Sequence, residues 1–148
     1  MKNKTLATWL AFIGGPWGLH RFYLRGKKDW LAWLLTIPTT LGLYGMERAQ
    51  RIGFEDPWCW MLIPLLGLTI TTSSLTAIIY GLMNCAKWNR DFNPSTPLDN
   101  ASGDTNWLTI GAVVLALFIG ATVLLSSLAY SLHHFFEYQI VAGSKKSL

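Results

Sequence analysis

Residues 57–83 read PWCWMLIPLLGLTITTSSLTAIIYGLM, and no Asp, Glu, Lys, Arg or His occurs from Pro57 to Ala86. Asp56 precedes the run as a candidate helix cap, and Pro57 suits the first helical position. A helix from about 58 to 83 exceeds the roughly 20 apolar residues that cross a bilayer core of about 30 Å. A second charge-free run, Thr105–Leu132, places another such helix at about 107–132. Charged residues make up only 14% of the 148-residue chain, against about 25% in soluble domains. The deficit lies in blocks. That composition excludes a disordered chain and describes a membrane protein.

Outward from this pair, the remaining apolar runs define the rest. Thr5–Leu19 follows Lys2 and Lys4 but leads to no small-x-small cleavage site, so it reads as a retained helix rather than a signal peptide. With Arg21 snorkelling, that helix extends over about 5–24, and the next covers 30–46. The expected fold is all-α and integral to the membrane, with four transmembrane helices as two helical hairpins. A first hairpin spans 4–46, and a polar link covers 47–57. A second hairpin spans 58–132 around a loop at 84–106, and a polar tail covers 133–148. Trp9, Trp17, Trp30, Trp58, Trp60, Trp88 and Trp107 fall near the expected helix ends, where indole suits the headgroup level. In this layout the twelve basic residues divide six to six between the two faces, so charge leaves the orientation open.

Small residues mark packing. Thr69, Ser73, Ala77 and Gly81 recur every four residues, as do Ala112, Ala116 and Gly120. Such rows let membrane helices approach closely, and the two are expected to face other helices, most simply one another. A homodimer seam fits the same pattern. Gly14 and Gly18 flank Pro16, which cannot donate to the Phe12 carbonyl, and Pro38 frees that of Leu34.

At the turn after Gly18 stand His20, Arg21, Phe22 and Tyr23. With Lys4, Leu10-Ala11-Phe12-Ile13-Gly14-Gly15 and Gly18-Leu19-His20-Arg21-Phe22-Tyr23-Leu24, residues 4–46 resemble the TM-two domain family. The family is named for a pair of transmembrane helices joined by a short polar turn. Arg25 stands here before Gly26, where the family commonly has glycine at once. The resemblance implies a membrane-embedded hairpin whose turn, His20 to Tyr23, recognises a partner. It attaches no general biochemical activity.

No catalytic, cofactor-binding or metal-binding constellation emerges. Thr71, Thr72, Ser73, Ser74 and Thr76 lack an adjacent base. His20 is separated from His133 and His134, so a shared metal site is not expected. Cys59 and Cys85 bracket one helix whose rise of about 39 Å is far too long for a disulfide. The basic residues lie beside apolar blocks, which fits membrane topology and not nucleic acid. The expected role is structural or interactive, without chemistry of its own. The bilayer and a membrane-protein partner or second copy are its partners, and the inner cell membrane is its location. The alternative is a small channel or transporter for an uncharged or weakly charged solute.

Overall fold

The computed structural model describes residues 1–54 and 56–146, with backbone alone for 141–146. Among the described residues, six helices follow one another: α1 (Lys4–Gly14), α2 (Leu19–Arg25), α3 (Trp30–Ile52), α4 (Pro57–Leu82), α5 (Cys85–Phe92) and α6 (Trp107–Lys146). Short 3-10 turns occupy Gly15–Trp17 and Ala101–Gly103. Among the described residues, α4 and the last helix are long and apolar enough to cross a membrane.

The charge-free helix α4 is the centre, packed against α1, α3 and α6. Glycines set these distances. A Cβ on Gly42 would lie 2.5 Å from Leu66 Cβ, and one on Gly45 would strike Leu62. Against α6, a Cβ on Gly67 would meet Ser127, one on Gly120 would lie 2.6 Å from Ser74 Cβ, and one on Gly81 would meet Val113. The pairs 67–127, 74–120 and 81–113 step by seven in opposite directions, which defines an antiparallel seam.

All seven residues of the two expected small rows are buried, yet the rows do not simply oppose each other. Ser73 meets Gly15, where a Cβ would lie 2.5 Å away. Ala77 clusters with both Ala11 and Ala116, while Gly81 meets α6. A row spaced by four turns about 40° per step, so it wraps from one partner to another. A spacing of seven drifts only about 20° per step and keeps one partner.

The helix expected over 5–24 is broken into α1, a 3-10 turn and α2. Its two ends come together: the Asn3 amide donates to Tyr23 Oη at 2.9 Å, and the Lys2 ammonium reaches the Leu24 carbonyl. Twenty residues of continuous helix would hold those ends about 30 Å apart. The segment therefore doubles back, entering and leaving at the same end of the bundle.

Three further boundaries differ from expectation. The helix expected to stop at 46 continues as α3 to Ile52, supported by the Glu47–Arg51 pair at 2.6 Å, until Gly53 turns the backbone at φ 113°. The stretch 84–106, expected as loop, contains α5, started by the Asn84 side chain accepting from the Ala86 amide at 3.0 Å. The expected polar tail is helical through Lys146, and Glu137 sits 3.3 Å from both His133 and His134 within it. Proline starts α4 as read. Asp56, however, gives its carboxylate to Arg48 and makes no side-chain cap bond.

Candidate functional site

The sequence around Gly14–Gly18 explains the reversal. Asn3 accepts from the Leu6 amide at 3.2 Å and starts α1. Pro16 carries no N–H, so the helix tightens into a 3-10 turn and ends at Gly18 with φ 72°. A left-handed residue there favours glycine, and space requires it too: a Cβ would lie 2.6 Å from the Ala32 carbonyl oxygen. Backbone released by a break inside a membrane must find partners. Thr39, buried on α3, stands with its hydroxyl 2.6 Å from the Pro16 carbonyl and 3.0 Å from that of Leu35.

The turn residues go to separate places. His20 is only 3% exposed, with its ring edge-on to Tyr80 of α4 at 6.0 Å between centroids. Its Nδ1 has no hydrogen-bond partner among the described residues. Arg21 Nε donates to Asp29 Oδ2 at 2.9 Å. Asp29 also accepts from the Leu31 amide at 3.1 Å and so starts α3. Burial acts to raise the Asp29 carboxyl, but bonds from Arg21 and Leu31 prevail and hold it below its ordinary value. Phe22 packs edge-on against Trp33 at 5.4 Å, and Tyr23 accepts from Asn3. Arg21, Phe22 and Tyr23 thus each contact another part of the first 46 residues, and His20 belongs to the interior.

His20 lines a cavity of about 170 Å³, together with Arg21, Leu35, Thr72, Ser73, Thr76 and Tyr80. Sequence reasoning noted the hydroxyl run but missed the cavity. The signal that could have found it is the four-residue spacing of Thr72, Thr76 and Tyr80, which sets them on one face of α4.

Above the break, residues 84–106 form a folded cap. Trp88 and Asn89 are fully buried, so this tryptophan is a core residue and not an interfacial anchor. Its Nε1 donates to the Lys2 carbonyl at 3.0 Å, and its ring lies 4.5 Å from that of Phe92. Asn89 donates to the Leu98 and Asn100 carbonyls at 3.0 and 2.8 Å. Lys4, also fully buried, donates to the Met83 carbonyl at 2.8 Å and to Thr105 Oγ1 at 2.6 Å. Burial first, then the nearby Asp104 carboxylate, pushes the Cys85 thiol up.

The family model of the TM2 domain matches residues 1–46. Over this segment the chain is similar to the TM2 domain. The match takes in α1, α2 and most of α3, and it includes all four turn residues. Residues 47–148, with the cap and the α4–α6 seam, lie outside it. No curated protein and no solved structure matches the chain significantly. The TM2 match and the two long apolar helices together mark a membrane protein.

Proposed function

We propose that this chain is a small multi-pass membrane protein with a structural or protein-interaction role, in which α3, α4 and α6 cross the bilayer. In this reading α1 and α2 form a re-entrant pair. The observation that carries it is the fastening of residues 2–4 to residues 23–24 and to the cap. A re-entrant backbone is tolerated where protein covers it, and α3 and α4 cover this one.

Folding back the first segment changes the charge balance. Lys2, Lys4, Arg21, Arg25, Lys27, Lys28, Lys87 and Arg90 now lie toward one face, and Arg48, Arg51, Lys145 and Lys146 toward the other. The tie becomes eight to four, and the positive-inside rule places the N-terminal end and the cap in the cytoplasm. A bacterial inner membrane suits such an asymmetry.

The membrane-level stretches of α4 and α6 carry no Asp, Glu, Lys, Arg or His, which speaks against an ion or proton path. The cavity at His20 supports the second reading, a channel or transporter for an uncharged solute. Flux into liposomes holding purified protein separates the two. No glycerol or urea flux above protein-free liposomes is expected, and selective, saturable flux would overturn the structural reading.

A further inference from the structure

We infer that the cavity beside His20 is a binding site for a small uncharged molecule rich in hydroxyl groups, which both donate and accept hydrogen bonds, of the size and chemistry of a short polyol. This rests on the cavity itself and holds whichever way the chain is oriented.

The lining chemistry selects the ligand. Thr72 Oγ1 donates to the Leu68 carbonyl at 2.6 Å, Ser73 Oγ to that of Thr69 at 2.7 Å, and Thr76 Oγ1 to that of Thr72 at 2.8 Å. Each hydroxyl has one hydrogen, and each spends it inside α4. What remains toward the cavity is the lone pairs of the oxygens. These three hydroxyls therefore accept hydrogen bonds, while the Arg21 guanidinium and the Tyr80 phenol on the same wall donate them, so the site matches a guest that does both.

Charge is also restricted. The Arg21 guanidinium at the rim is balanced by Asp29 at 2.9 Å. A cation would meet the Arg21 charge, and an anion would meet that of the Asp29 carboxylate paired with it. A neutral guest meets neither obstacle. A volume of about 170 Å³ corresponds to about six water molecules at roughly 30 Å³ each, enough for two to four carbons with their hydroxyls. Leu35 supplies an apolar wall for the carbon chain. The buried His20 ring, with Nδ1 unpartnered among the described residues, is a further polar group of the site and reports on it.

The test uses the full chain in lipid nanodiscs with its three histidines labelled with ¹⁵N, the His20 signals being assigned from His20→Gln. Ethylene glycol is titrated against 1,2-dimethoxyethane, which has a related chain but no O–H. A saturable shift of the His20 nitrogens with ethylene glycol alone is expected, with His133 and His134 unmoved. Thr72→Val and Thr76→Val, made singly, keep the side-chain shape and remove an acceptor; each is expected to weaken the response at least threefold. A linear, unsaturated response, or an equal response to dimethoxyethane, overturns the inference without need of any variant. Unchanged affinity in both valine variants overturns it as well.

Discussion

The Asn3 amide donates to Tyr23 Oη at 2.9 Å, joining residues twenty positions apart in a stretch whose hydropathy reads as one helix. That bond, with the Lys2 contact to Leu24, brings both ends of the TM2 segment's first half to the same face.

Sidedness follows from it. In a background with Cys59 and Cys85 replaced by serine, Asn3→Cys, Lys27→Cys and Asp99→Cys are expected to react with a membrane-impermeant thiol reagent from one face of sealed vesicles. Arg51→Cys is expected to react only from the other. Asn3→Cys retains the backbone amide that makes the bond. Reaction of positions 3 and 27 from opposite faces would sink the re-entrant pair.

The α4–α6 seam predicts a sharp contrast between two glycines of one helix. Gly120 faces Ser74 with no room for a Cβ, whereas nothing lies within 4 Å of a Cβ on Gly111. Gly120→Leu overpacks the seam and is expected to cost about 1–3 kcal/mol, read as a lower thermal midpoint in detergent. Gly111→Leu should leave that midpoint nearly unchanged. Equal effects would show that the seam is placed wrongly.

The cap predicts protection of residues 94–104. Trp88 is fully buried, and removing such a side chain costs about 3–5 kcal/mol. Trp88→Ala should therefore release the cap, seen as faster cleavage there by an added protease and faster amide exchange in α5. Cleavage no faster than in the parent protein would mean that Trp88 does not hold the cap.

Acid should weaken the α3–α4 corner. Arg48 Nε donates to Asp56 Oδ2 at 2.6 Å and Nη2 to Oδ1 at 3.2 Å. That hydrogen bonding first, against desolvation and with help from the Arg48 charge and Cys59, holds the Asp56 carboxyl below its ordinary 3.8. A depressed carboxyl stabilises the fold at pH above that unfolded value and loses its contribution as pH falls through the folded one. The thermal midpoint should thus drop below about pH 4, and the drop should be smaller in Asp56→Asn. Identical acid profiles for the two proteins would exclude the pair as the cause.

Much of the fold was legible because some signals are local. The charge-free run after Asp56 and Pro57 predicts α4 within a residue of its observed ends. The small rows mark positions that are all buried. The candidate turn was legible as a motif but its placement was not: burial of His20 depends on Tyr80 of α4, sixty positions along the chain. The cap was missed because its asparagines and prolines have the composition of a loop. Its order comes from contacts such as Trp88 with Lys2, eighty-six positions apart.

By itself, the sequence determined that the chain is helical, that its apolar lengths suit a bilayer, and that residues 4–46 resemble the TM-two domain family. Hydropathy measures how much apolar surface a stretch carries, and this quantity is the same whether the stretch runs straight or folds back. Only the tertiary structure decided direction. Gly18 permits the reversal, Thr39 covers the backbone at the break, and Asn3 meets Tyr23. Those contacts turn an even division of charge into an uneven one and leave a hollow beside His20.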